Sequence, residues 1–194
     1  LDVDLDELLA ELAELAIPHA EGGKVSEGAG LGDLPHDSFG LAVVDLDGNE
    51  HVTGAVDVPF PIQSISKVFA LVHAMQKADE HAGVNLELWD RVGREPSGTA
   101  FNSLVQLEYE SGLPRNPMIN AGAIVVDDVL LSRCANPKRE NLELVELLAG
   151  EPLGVDEGVL RYEERRGHRN LAMAYLMSSF GSLTHDPREV LDVY

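Results

Sequence analysis

The sequence predicts an α+β fold: a mostly helical body with an antiparallel sheet that these residues leave incomplete. Three observations predict it. Apolar strand-forming residues flank an Asp-Gly turn at Asp47-Gly48, the pattern of a β-hairpin. From residue 64 onward apolar residues recur at helical spacing, with start and stop residues at the segment ends. No later segment reads as a strand, and a lone hairpin is marginal by itself. The expectation is therefore a sheet completed by sequence beyond Tyr194. Together with the missing initiator Met, this predicts that the chain is a fragment.

The elements follow in order. Asp4 to Ala16 carries Leu5, Leu8, Leu9, Leu12 and Leu15 at helical spacing, an amphipathic packing helix that Pro18 should stop. Glu21 to Asp37, rich in Gly, Asp and Ser, reads as a loop. Phe39–Val44 and His51–Ala55 are the two strands, joined by Asp45-Leu46-Asp47-Gly48-Asn49. Ser64 to Met75 places Val68, Phe69, Leu71, Val72 and Met75 on one side of a helix. Leu86–Val92 is a shorter helix, and Gly93–Gly98 is a turn-rich break. Asn120–Ser132 is apolar enough for a buried helix. Pro137 opens a further helix that Gly150 closes. Asn170–Phe180 ends at Gly181. Asp186-Pro187-Arg188-Glu189 then provides an N-cap, a Pro at the first helical position and a Glu two residues after it. Trp89 and the methionines sit at core spacing. The whole is read as a single catalytic domain over 1–194. It comprises an N-terminal helix and hairpin over 1–60 and a helical body over 61–194, lacking C-terminal strands.

Composition excludes several functions. With 34 acidic against 14 basic residues the net charge is −20, which repels nucleic-acid phosphates and anionic lipid headgroups. The excess fits a solvated acidic surface, or adaptation to high salt, where counterions screen self-repulsion. No apolar run reaches the length of a membrane span, and the start lacks the features of a signal peptide. Cys134 is the only cysteine, so no internal disulfide forms and a Cys-rich metal site is excluded. It reads as an inert, buried thiol, and the compartment as reducing and cytoplasmic. The seven histidines show no ligand spacing. No metal site or cofactor is predicted.

Ser64-Ile65-Ser66-Lys67 carries the chemistry. A serine hydroxyl needs a base before it attacks a carbonyl, and residues three apart on a helix share a face. Neighbouring apolar residues desolvate the Lys67 amine and lower its pKa toward the neutral form a base requires. N–H groups at the helix start are placed to hold negative charge developing on a carbonyl oxygen. Ser-x-x-Lys is the acylation motif of active-site-serine β-lactamases and penicillin-binding proteins. With 11 Ser and 4 Lys, chance supplies about 0.2 such pairs, so the tetrapeptide alone favours a helix cap and a surface lysine. Its place after a hairpin, opening an apolar helix, favours the catalytic reading.

Four ordered blocks extend the case. They are Phe60-Pro61-Ile62-Gln63-Ser64-Ile65-Ser66-Lys67-Val68, then Arg91 to Gly98 followed by Phe101-Asn102-Ser103-Leu104, then Gly112 to Ala123, and Arg169-Asn170 with Tyr175 to Gly181. In this order they resemble the serine-dependent glutaminases over about residues 40–194. The resemblance implies a β-lactamase/transpeptidase-like fold and conversion of L-glutamine to L-glutamate and ammonia. It implies that Ser64 attacks the side-chain amide and that Lys67 takes its proton and passes it to the departing ammonia. It matches Asn120, Glu163 and Asn170 to substrate-binding positions and Tyr194 to a tyrosine that contacts substrate. Glu164 leaves the register at Glu163 open, and Tyr194, as the last residue, is expected to fray. By the same analogy a homo-oligomer is expected.

The chain departs from the family where Gly23-Lys24-Val25 is followed by Ser26-Glu27-Gly28, without the usual tyrosine. It also stops before a later active-site tyrosine and a glycine-rich strand. The alternatives are a β-lactam-reactive serine acyltransferase, for which Ser-Asp-Asn and Lys-Thr-Gly elements are missing, and a fragment inactive without its C-terminal part.

Overall fold

The structure is a computed structural model that describes residues 4–20, 38–80 and 84–194. The predicted loop over Glu21–Asp37, with the departure after Gly23-Lys24-Val25, lies outside the described residues. Contacts divide the chain into two compact units, Leu1–Pro61 and Ile62–Tyr194.

In the first unit, α1 spans Leu5–Ala20. Asp4 caps it, its carboxylate accepting the N–H groups of Asp6 and Glu7 at 3.1 and 3.2 Å. Pro18 does not stop this helix; it sits inside the last turn. A proline there removes its own N–H from the ladder and crowds the carbonyl four residues back, and the helix runs only two residues further. Leu9 and Ala13 are buried, while Leu8, Leu12 and Leu15 are exposed, so the predicted leucine stripe is only partly covered. The hairpin pairs β1 (Gly40–Val44) antiparallel with β2 (Glu50–Gly54), Gly40 opposite Gly54 and Val44 opposite Glu50. Its turn is organised by Asp45, whose carboxylate accepts from the Asp47 and Asn49 backbone at 2.9 and 2.8 Å and from the Asn49 side chain at 2.8 Å. Gly48, at φ 85°, supplies the left-handed residue the turn needs. His51 Nδ1 lies 2.9 Å from Asp6 Oδ1 and ties β2 to α1.

The second unit begins with a 3₁₀ turn, Gln63–Ile65, running into α2 (Ser66–Glu80). It continues with α3 (Val84–Arg91), α4 (Leu104–Tyr109), α5 (Asn120–Arg133), α6 (Pro137–Ala149), α7 (Glu157–Arg166), α8 (His168–Ser179) and α9 (Pro187–Val193). As predicted, α5 is buried on all sides, from Asn120 through Leu130. Around it pack α2, α3, α6, α8 and α9. The core joins Ile124, Val125, Val129 and Leu130 of α5 to Ala74, Leu88, Met173, Met177 and Val190 from those helices. Met75 and Met118 are exposed and take no part in it.

Local chemistry explains the boundaries. Asn136 caps α6 by accepting from Arg139 N at 3.1 Å, and Glu140 returns the bond to Asn136 N at 3.2 Å. Gly150 ends the helix at φ 73°. Asp186 caps α9 through Arg188 N at 2.8 Å. Near the start of α5, a Cβ on Gly122 would sit 1.9 Å from the Asn116 carbonyl oxygen, so only glycine lets the 116–117 backbone lie against the helix. Asn116 fixes that backbone by accepting from Met118 N and Ile119 N and donating to the Glu95 carbonyl. Deeper in α5, the fully buried Asp128 is matched by Arg91, by the Thr184 and His185 N–H groups at 3.0 and 2.9 Å, and by His185 Nδ1. Burial pushes its pKa up, but these donors together hold it below the ordinary carboxylate value.

Candidate active site

Ser64 is exposed in the middle of the 3₁₀ turn, two residues before α2 starts, so it does not open the α-helix as the sequence suggested. The residue before it, Gln63, has φ 41°, a left-handed backbone for a side chain without local backbone compensation. Gln63 Nε2 donates to Glu163 Oε1 of α7 at 3.3 Å, which pins that backbone from across the unit. The N–H of Ile65 donates to the Ile62 carbonyl, and that of Ser66 to the Gln63 and Ser64 carbonyls. Two of the N–H groups expected to face developing charge are thus committed within the turn.

Lys67 follows in the first turn of α2 and is buried, 6% exposed. Nζ donates to Asn120 Oδ1 at 2.6 Å and to the Met118 carbonyl at 3.2 Å. Both acceptors come from the tight 116–120 segment that Gly122 and Asn116 shape. Neither is charged, so burial dominates and lowers the Lys67 pKa from its ordinary value. The Phe101 ring lies 6.0 Å from Nζ, and the Phe101 carbonyl accepts the Asn120 N–H at 2.9 Å.

Asn120 Nδ2 donates in turn to Asn170 Oδ1 on α8 at 2.9 Å. Lys67, Asn120 and Asn170 therefore form one continuous polar chain across three helices. Of the two adjacent glutamates, Glu163 is the one whose carboxylate reaches the residue beside Ser64. Tyr194 is held at the end of α9, its N–H bonded to the Val190 carbonyl at 3.1 Å and its side chain packed on the core, rather than frayed. Burial, then the charges of Asp127 and Glu163, push its phenol well above the ordinary range. Of the six residues picked out in sequence, Lys67, Asn120 and Asn170 are joined by hydrogen bonds, Glu163 reaches Gln63 beside Ser64, and Tyr194 lies in the field of Glu163, while Ser64 itself stands exposed on the turn, three residues before Lys67. His168, at the start of α8, is exposed.

Sequence reasoning passed over three participants. The Met118 carbonyl leaves no side-chain signal. Gln63 was signalled only by standing next to Ser64. Asp127, 4% exposed on α5, sits two helical turns from Asn120 on the same face. Burial raises its pKa to about 8, so it is mainly uncharged at neutral pH. The arrangement offers an exposed hydroxyl, a desolvated amine with two neutral acceptors, and amide and carboxylate groups beside them. That is the equipment for acyl transfer.

A family model described as Glutaminase matches residues 23–194. A glutaminase of Cronobacter sakazakii is 48% identical over 191 residues, covering 97% of this chain and 60% of the relative. The chain thus spans about 60% of the length of the curated relatives it matches. Among solved structures, a Bacillus glutaminase crystallised in the presence of 4.3 M NaCl superposes with a TM-score of 0.78 at 32% identity, over 98% of this chain and 59% of that one. A probable glutaminase from Bacillus subtilis complexed with 6-diazo-5-oxo-L-norleucine gives 0.77 at 29% identity, over 100% and 58%. The predicted α+β, β-lactamase-like fold is therefore the fold of these proteins.

Proposed function

Because the chain belongs to the glutaminase family, we propose that the protein hydrolyses L-glutamine to L-glutamate and ammonia through an acyl-enzyme on Ser64. The observation that carries this reading is the pair of acceptors on Lys67. A neutral amine has two N–H bonds and one lone pair. With the hydrogens directed to Asn120 Oδ1 and the Met118 carbonyl, the lone pair is left to accept a proton. Lys67 takes the Ser64 hydroxyl proton as Oγ bonds to the side-chain amide carbon. The same proton then passes to the departing nitrogen, and ammonia leaves a γ-glutamyl ester on Ser64. Water attacks the ester, Lys67 again accepting a proton and returning it to Ser64 Oγ, which releases glutamate. The Ser64 N–H is proposed as one oxyanion donor, with the second from the glycine-rich strand that family members carry later in their sequences.

Glu163 suits the substrate α-ammonium group, a charge-assisted hydrogen bond. Asn120 and Asn170 offer amides to the substrate's polar atoms, and Tyr194 closes the same side. All of 1–194 is taken to serve one catalytic domain. A homo-oligomeric enzyme of the cytoplasm is inferred from family analogy and from a single cysteine. The test is ammonia release from L-glutamine by the full-length protein. Lys67→Ala is expected to lower kcat about 10²–10⁴-fold while the fold persists. A folded Lys67→Ala enzyme with wild-type turnover would remove Lys67 from the mechanism.

A further inference from the structure

We propose that His73, Cys134 and Glu140 form a binding site for a divalent transition-metal ion, zinc by ligand chemistry. The site ties α2 to the C-terminal end of α5 and the first turn of α6. It is separate from the Ser64 chemistry and does not depend on it.

Cys134 and Glu140 are six residues apart, but His73 lies 61 residues before Cys134, so no ligand spacing marks the site. In the fold, His73 Nε2, Cys134 Sγ and a Glu140 carboxylate oxygen all lie within 4.8 Å of one another. Sγ is 3.6 Å from Nε2, and Glu140 Oε2 is 3.8 Å from Nε2. A tetrahedral zinc ion holds nitrogen and oxygen at about 2.0 Å and sulfur at about 2.3 Å. Its ligand atoms are then about 3.3–3.6 Å apart. The Sγ–Nε2 separation already meets those values, the Nε2–Oε2 separation needs a contraction of about 0.5 Å, and the Cys134–Glu140 pair, within 4.8 Å, closes by side-chain adjustment, with the fourth position left to water.

The orientation of His73 strengthens the case. The ring is 5% exposed. Nδ1 lies 2.6 Å from Asn141 Oδ1, an acceptor, so Nδ1 carries the hydrogen. In the neutral imidazole Nε2, facing Cys134 and Glu140, is then the nitrogen open to a metal. A hydrogen bond on the far nitrogen is the usual outer support of a metal-bound histidine. The Glu140 carboxylate is fixed as well. Oε1 accepts Asn136 N at 3.2 Å in the α6 cap, and Oε2 lies 3.1 Å from Lys77 Nζ. Binding releases the Cys134 thiol proton to solvent. A divalent ion with one thiolate and one carboxylate is neutral. Lys77 then leaves one positive charge, which a chain of net charge −20 accommodates. Imidazole with thiolate and carboxylate favours zinc over magnesium or calcium.

The test uses full-length protein stripped with a chelator and titrated with Co²⁺, then with Zn²⁺. The expected result is a thiolate-to-Co²⁺ charge-transfer band, with the strong visible bands of a four-coordinate ion, all removed by Zn²⁺. Zn²⁺ is also expected to raise the thermal midpoint. Cys134→Ser should abolish the charge-transfer band. Asn141→Ala keeps all three ligand atoms and should weaken Zn²⁺ binding about 10–100-fold. Co²⁺ binding to the wild type without a thiolate band would overturn the proposal, as would no binding at all. Unchanged Zn²⁺ affinity in Cys134→Ser would overturn it too.

Discussion

Replacing Asp127 with Asn should make the protein more stable, and increasingly so as pH rises. Asp127 is 4% exposed on the central helix, and burial moves its pKa from the ordinary 3.8 to about 8. A raised pKa means that the folded state holds a proton the unfolded chain has already released. Below pH 4 both states are protonated and the residue is neutral in its effect. Between about pH 4 and 8, folding must retain or take up that proton, so stability falls as pH rises; above 8 the penalty is complete. Each pH unit in this window costs about 1.4 kcal/mol, so the penalty at pH 7 reaches about 4 kcal/mol. The unfolded chain is itself strongly acidic, which raises its carboxyl pKa values and trims the effect to about 3 kcal/mol. Asn has nearly the same shape and does not titrate. The assay is urea unfolding of wild type and Asp127→Asn at fixed ionic strength from pH 5 to 8. The gap between them should widen steadily in favour of Asn up to about pH 7.5. Parallel curves would mean that Asp127 ionises freely in the folded protein, and the burial argument would be wrong.

The remaining predictions concern the site and its scaffold. Burial lowers the Lys67 pKa, and only the neutral amine is a base, so kcat/KM should rise with pH through a group titrating below the ordinary lysine value of 10.5. Asn120→Asp places a carboxylate where an amide now sits 2.6 Å from Nζ, and should move that rise to higher pH; an unmoved pH profile would refute the contact. Gly122→Ala, with its Cβ 1.9 Å from the Asn116 carbonyl oxygen, should cost about 3 kcal/mol in a denaturant melt. At net charge −20, activity should persist as NaCl is raised to about 1 M, where the Debye length falls to about 3 Å. A steep decline from low salt would rule out salt adaptation.

Much of this architecture was legible because its signals are local. The Asp45–Asn49 turn, the Pro137 and Asp186-Pro187 starts and the Gly150 stop each act within a few residues, and each appears where the sequence put it. The strongly apolar Asn120–Ser132 run likewise announced a buried helix. Shorter or more polar helices were not visible: α4 has only six residues, and α7 is exposed along most of its length. The helix start is shifted from Ser64 to Ser66, behind a 3₁₀ turn whose first residue, Gln63, has a left-handed backbone and bonds a glutamate 100 residues away. The same holds for the site. Ser64 and Lys67 are proposed from their spacing and setting, whereas the acceptors of Lys67 come from Met118 and Asn120, which only the fold brings near. The nearness of His73, Cys134 and Glu140, on which the proposed metal site rests, is likewise a product of the fold and not of a recognisable ligand spacing.

The most direct measurement is an acid quench of the full-length protein during turnover of L-glutamine, followed by peptide mass mapping. A glutamyl adduct on Ser64 is predicted, absent from Ser64→Ala, whose ammonia release should fall to background. Sustained ammonia release by a folded Ser64→Ala enzyme, with no adduct on the wild type, would contradict the account.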